Sequence, residues 1–550
     1  MFPIRWDYLP KGYHPDSRKE SLSFDERTKL SDLTAKLENT AWKRVFYRIE
    51  NDPLQYNELT YFHAYTTQSI FDLQQRDEQD EHVVGACKTL VYFEIPANEN
   101  DYYLIETTAR GNFELRVKGL SLHAYNTGVA IITINLENWK YPDSQEVLCI
   151  NDMGRRIYPQ FLGGQQPYTN LTKGKVLAAC IELKCSGINN GLPVREDFTK
   201  YDDLAGKETH KIDPTTGKYK YNCIIEFPDH IKALFNNDFV YNANDESDGN
   251  KIRFNILTDD RMFFQCWYGN NQISGTVKND ITYYNESKGH LFAHCKFWYA
   301  FMYGDQDAGS LGLANKYFME KEILANTYDR WVEYGSLYGF TRDSFVAISS
   351  DEKTLIEYGA PQLRQHIKTI YYQMAVLCLA QRAGVLRFSA EVASITQLGK
   401  TFEKEALDRI QQLYLNYIEF INTLCFREVT PQMQGIEIYS QFRKAMNIPE
   451  DVKNLDAEIQ ELHNFAMFAE QKRAADKAER LSLIATIFLP AGVVIGLMSM
   501  SAFDKESMRF GEKPLLGAWL WIITGIILSA LISVFLVKWK SIVKLKRSKK

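Results

Sequence analysis

Nowhere in this chain of 550 residues do two cysteines form a CxxC pair; the nine cysteines are scattered, with Cys180 and Cys185 the closest two. An odd, unpatterned set points to reduced thiols in a cytosolic compartment. The amino-terminal "MFPIRWDYLPKGYHPDS" lacks an apolar run of signal-peptide length, so the bulk of the chain is expected in the cytosol. An excess of positive charge is lacking too: the net charge of −5 argues against general nucleic-acid binding. There is no P-loop, no GxSxG, no HExxH, and no GxGxxG followed by an acidic residue, so no enzyme activity is expected. The nearest approach to a metal-ligand set is His290, His294 and Cys295 in "GHLFAHC". That run reads more as strand than helix, and lone histidines among aromatics are usually structural. No repeat of 20–50 residues and no low-complexity tract is evident.

What the chain does have is a sharp change of pattern along its length. Residues 85–350 alternate apolar and polar side chains in short runs, among them "KTLVYFEI", "FELRVKGLSLHAY", "GVAIITINLEN", "KVLAACIELKC", "IRFNILTDD" and "MFFQCWYG". Asn126-Thr127-Gly128 joins two of them as a hairpin turn. With Tyr and Phe at 32 each, this predicts an antiparallel-rich α+β domain in two layers, with a helix over Leu22–Ala41 in front. In "INDMGRRIYPQF", Arg155 and Arg156 follow a glycine, in an expected turn between apolar strands. Adjacent arginines can clamp a phosphate bidentately, although such pairs more often form surface salt bridges.

From about residue 351 the period becomes helical. Thr354–Ser394 reads as one or two helices broken near Pro361, and Phe402–Val429 as an amphipathic helix with Leu407, Ile410, Leu413, Tyr417, Phe420 and Leu424 on its apolar side. "EVTPQMQG" is a turn. Between Pro449 and Arg480, Val452, Leu455, Ile459, Leu462, Ala466 and Ala469 repeat at steps of three and four. That is a coiled-coil-like seam, or equally a packing face in an ordinary bundle. It runs without a breaker into the next segment, predicting one helix of more than fifty residues.

Two apolar stretches close the chain, Leu481–Phe503 and Leu515–Val537, each long enough to cross a bilayer core as a helix. Lys472, Arg473, Lys477 and Arg480 precede the first, and "KWKSIVKLKRSKK" follows the second. The loop "DKESMRFGEKP" between them balances three basic against three acidic residues, so both termini are expected on the cytoplasmic side. Trp519, Trp521 and Trp539 suit interfacial anchors. Within the first stretch, Pro490 leaves the Thr486 carbonyl without its helical partner, and Gly492 and Gly496 make a small-xxx-small face. These features fit a kinked anchor or a helix packed against copies of itself.

"IATIFLP", followed nine residues later by the tripeptide Ser499-Met500-Ser501, resembles the pore helix of the CorA family of divalent-cation channels. The resemblance implies a homopentamer with a cytosolic α/β domain, a long stalk helix and two carboxy-terminal spans. It implies the division 1–350 sensor domain, 351–480 helical bundle and stalk, 481–503 pore helix, 504–514 outer loop, 515–537 second span and 538–550 basic tail. The family ends its pore helix in Gly-Met-Asn; serine at the last position weakens contact with a hydrated Mg²⁺. The large front domain, with "YGFTRDSF" and "LAQRAGVLRFSAEV", is similar to the CorA-like effectors encoded beside type III CRISPR systems. That implies an antiviral channel in a bacterial inner membrane, opened by a nucleotide second messenger, the conjugate of S-adenosylmethionine and AMP. Arg155 and Arg156 are then the candidate phosphate contacts. A constitutive magnesium or other divalent-cation transporter regulated by intracellular metal is the alternative, and a membrane-anchored enzyme or receptor a third. Stepping back by fours from Ser501 puts Leu497, Val493, Leu489, Ala485 and Leu481 on one face, a candidate apolar gate. In the other helical phase Leu489 faces lipid.

Overall fold

The computed structural model describes residues 1–10, 22–48, 53–73, 89–107, 110–157, 178–198, 210–212, 219–221, 227–241, 249–258, 261–280, 283–284, 289–306, 315–351, 356–357, 360–398 and 404–498, with five residues between 523 and 535. It divides into two compact units, one of Met1–Lys400 with Asp408–Gln460, the other of Thr401–Leu407 with Glu461–Lys550.

The first unit opens on a large curled mixed sheet. Its strands are β1 (Phe2–Leu9), β2 (Lys43–Arg44), β3 (Leu90–Pro96), β4 (Tyr102–Glu106), β5 (Asn112–Tyr125), β6 (Val129–Glu137), β7 (Cys180–Lys184) and β8 (Val194–Asp197). A small pair, β9 (His210–Ile212) and β10 (Tyr219–Tyr221), stands apart, and β11 (Phe239–Tyr241) and β12 (Lys251–Ile256) rejoin the sheet. The order is β11-β12-β1-β6-β5-β4-β7-β8, with β3 also paired to β5 and β2 to β3. Only β11 and β12 run parallel in this sheet. β5 is long enough to pair with β4 along its first half and with β3 along its second, and its register against β6 shifts between Val117 and Gly119.

Alternation marks the first half of β5, where Phe113, Leu115 and Val117 point into the core. Its second half and β6 through Thr133 are buried on both faces instead. The second cover is the helix Ile370–Leu398, which packs on β1 and β6. Its Tyr372 hydroxyl lies 2.9 Å from Ser121 Oγ and donates to Thr133 Oγ1 at 3.2 Å. The predicted hairpin is present: Tyr125 pairs with Val129, and Gly128 takes a φ of +71°, a left-handed conformation that glycine adopts without steric cost.

A second core surrounds a four-stranded sheet, β13 (Phe264–Gly269), β14 (Thr327–Tyr328), β15 (Leu337–Thr341) and β16 (Ser344–Ser349), in the order β13-β16-β15-β14. Trp298, Phe301 and Met302 from the helix Lys296–Tyr303 pack with Leu337, Val346 and Ile348.

The helical part then begins slightly later than its pattern suggests. Ile356–Glu357 (β17) and Ala360–Pro361 (β18) pair as a short ladder before the helix Gln362–Lys368, so Pro361 precedes a helix start rather than breaking a helix. Met374 through Gln381 are buried without interruption, which makes Ile370–Leu398 the central helix of this unit. The helices Lys404–Leu424, Met433–Ala445 and Ile448–Met498 follow. A Cβ at Gly384 would come within 2.5 Å of the Phe420 ring, so glycine there lets two helices approach closely. The predicted front helix is two short ones, Phe24–Arg27 with a Ser23 capping box and Leu30–Leu37. "GHLFAHC" is a 3₁₀ turn, Leu291–His294, rather than a strand: the Asp280 carboxylate accepts the backbone N–H groups of Leu291 and Phe292 and so caps a helical start. The seven described cysteines are free thiols.

Candidate functional site

The helix Ile448–Met498 is continuous over 51 residues and passes through Pro490. Glu450 and Asp451 in its first turn complement the positive end of its dipole. Along it Leu455, Ile459, Ala466 and Ala469 are buried and Val452 and Leu462 half-buried, so the seam read from the sequence is its least exposed face. Within the first unit, Tyr417 of the helix Lys404–Leu424 donates to the Val452 carbonyl at 3.4 Å.

In the second unit the same helix changes character. Leu481 is 67%, Ile484 52%, Phe488 68% and Leu489 67% exposed, and Ala485 is exposed as well. Farther on, Ile523, Ile527, Leu531 and Phe535, each four residues from the last, are also exposed. Large apolar side chains on successive turns are costly in water, because roughly 25 cal/mol is lost for each Å² of apolar surface left wet. Among the described residues, no helix is long and apolar enough to cross a membrane. Pro490, Val493 and Leu497 lie in helical backbone, but their side chains are not among those described. Ser499, Met500 and Ser501, the 504–514 loop, all but five residues of 515–537, and the basic tail lie outside the described residues.

Arg155 and Arg156 lie at a turn, as expected, but it follows the helix Ser144–Met153 rather than a strand, and both are buried. The Arg155 guanidinium donates at 3.0 Å to the carbonyls of Tyr303 and Gly304, at the end of the helix Lys296–Tyr303, and lies over the Phe264 ring. Cations are favoured at that negative dipole end. Burial lowers its pKa to about 10. Arg156 donates to Asp152 at 3.2 Å. Their described contacts are therefore with the protein's own backbone and side chains.

A dense charged cluster in the first unit joins residues from opposite ends of the sequence. On β1, Arg5 Nε donates to Asp7 at 2.7 Å and Arg5 Nη2 to Glu391 at 2.9 Å. Arg27 donates to the same two carboxylates. Arg387, wholly buried on the central helix, donates to Asp7 at 2.6 Å and to the backbone carbonyls of Trp6 and Gly128 at 2.8 and 2.7 Å. Burial pushes the Asp7 carboxyl up, but Arg387, Arg5 and Arg27 outweigh it and hold it well below the usual carboxylate range. Burial also pushes Glu391 up, and Arg27, Arg5 and Arg387 again leave it lowered. Three cations facing two anions clamp β1, the hairpin turn and the central helix together. The sequence signal for this is that Arg387 and Glu391 stand four apart inside a helix whose other charged residue is Arg382.

No known protein family, curated protein or solved structure matches the chain. His290 pairs with Asp280 at 2.9 Å, and the described residues contain no group of His, Cys, Asp and Glu side chains arranged to hold a metal.

Proposed function

We propose that this chain is a homopentameric membrane ion channel resembling the CorA family, gated by a nucleotide second messenger. The observation that carries the reading is the single helix Ile448–Met498. Its first half has a buried seam, and its second half bares Leu481, Ile484, Phe488 and Leu489. A rod of this kind couples a cytosolic domain to a bilayer and offers an apolar face to lipid or to copies of itself. Leu515–Val537 supplies a second span, and Leu481, Ala485, Leu489, Pro490, Val493 and Leu497 line the pore up to Ser499-Met500-Ser501. The amino-terminal α+β part, which holds Arg155 and Arg156, forms the sensor. The permeant species is a cation, with Mg²⁺ the family's own, and the messenger is the conjugate of S-adenosylmethionine and AMP. Opening in a bacterial inner membrane collapses ion gradients during infection, as an effector of a type III CRISPR system.

Mass measurement on the detergent-solubilised full chain tests the assembly. The reading expects five times the 63.7 kDa chain; a stable monomer contradicts it.

A further inference from the structure

At the tip of the β5–β6 hairpin the first unit holds a cavity of about 270 Å³, walled by the front helices, the hairpin turn and the helix Lys404–Leu424. Three buried polar atoms on its walls have no hydrogen-bond partner among the described residues: Asn126 Oδ1, Thr127 Oγ1 and Asn416 Nδ2. Thr127 is 4% and Asn416 9% exposed. Leaving a buried polar group unpaired costs about 1–3 kcal/mol, so three gathered at one cavity call for a partner from outside the chain.

The chemistry of that partner follows from the walls. The Asn126 amide is oriented by Glu419, whose carboxylate can only accept and takes its N–H at 2.7 Å. Its oxygen is thereby left as an acceptor, Asn416 offers a donor, and Thr127 can serve as either. Phe24 and Phe420, both buried, supply apolar wall. The charged lining residues are Asp25, Glu419 and Lys29, and Asp25 already accepts from Gln412 at 3.1 Å. Two carboxylates against one lysine disfavour an anion. The volume, about 270 Å³, falls just below the roughly 300–1,000 Å³ typical of drug-sized ligand sites, which suits a small ligand.

We infer that this cavity binds an uncharged polar ring of nucleoside size, held by Asn126, Thr127 and Asn416. The cavity also touches elements that can pass binding onward. Gly128, next to Thr127, gives its carbonyl to the buried Arg387. Asn416 and Glu419 flank Tyr417, which bonds Val452 at the start of the long helix. A ligand that bridges hairpin and helix therefore acts on the root of the proposed stalk. The binding claim stands by itself; its use in gating rests on the channel reading.

The test is calorimetric titration of the full chain in detergent with adenosine, guanosine, cytidine and uridine, with inorganic phosphate as competitor. At least one nucleoside binds, phosphate does not displace it, and Thr127→Val and Asn416→Leu each weaken binding about tenfold or more, the loss of one hydrogen bond to a buried group. Thermal unfolding of both variants stays at the parent midpoint, which separates lost binding from lost folding. Binding of none of the four, displacement by phosphate, or parental affinity in both folded variants overturns the assignment, water alone then filling the cavity. Should a variant unfold, its partner variant decides. Channel activity without nucleoside binding removes this site and leaves the channel; binding without conduction does the reverse.

Discussion

At the scale of single residues, the fold depends on charges and imidazoles that water does not reach. Arg387 is the keystone of the buried cluster, since it alone holds Asp7 together with the carbonyls of Trp6 and Gly128. Replacing it by Met keeps much of the volume but leaves Asp7 with Arg5 and Arg27 only. Asp7 stays compensated, so what is lost is the guanidinium's buried hydrogen bonds to Asp7 and to the two carbonyls, a cost of about 1–3 kcal/mol. Arg387→Met is therefore expected to lower the denaturant midpoint of the amino-terminal unit by a corresponding amount; an unchanged midpoint would show that the cluster contributes no stability. His230 gives a pH signature. It is fully buried, sits at the edge of Tyr103, and burial lowers its pKa to about 3. Burial lowers His123 to about 3 as well. Below the ordinary value near 6.5 the unfolded chain takes up protons that these folded imidazoles refuse, so stability declines as pH falls from about 6.5 towards 3. Each contributes a slope of about 1.4 kcal/mol per pH unit in that window. In His230→Phe the slope between pH 6 and 4 should be shallower by one such increment, measured by denaturant titration at each pH. A slope equal to the parent's would contradict the neutral, buried state.

At the scale of elements, what was legible in the sequence was local. Steps of three and four from Val452 to Ala469 placed one face inward, because helical geometry leaves those positions no other arrangement. The turn at Asn126-Thr127-Gly128 was legible because glycine at a positive φ is local chemistry too. The buried cluster was not, since Asp7 and Glu391 belong to a strand and a helix whose meeting depends on the whole topology. The same holds for the cavity, whose unpaired atoms come from the hairpin and from Asn416. "GHLFAHC" misled because its aromatic pattern resembles a strand, while the Asp280 carboxylate that turns it lies ten residues earlier. On the long helix, exposure of Leu489 is what both a pore-facing and a lipid-facing residue would show in a single chain. Leu489→Asn separates them. If Leu489 forms the closed apolar constriction, the polar amide wets it, and the variant leaks ions from liposomes without ligand. A variant that stays closed without messenger and opens with it places Leu489 away from the gate.

At the scale of the whole molecule, the described architecture is α+β sheets followed by long helices, the last of which passes from the first compact unit into the second along unbroken helical backbone. The central claim is that this helix transmits messenger binding to an ion pathway. The most direct measurement is cation flux from liposomes that contain the full chain, recorded before and after addition of the S-adenosylmethionine–AMP conjugate. The account predicts tight vesicles beforehand and release of trapped cation afterwards. Vesicles that remain tight with the messenger present, from protein shown to be folded and inserted, would contradict it.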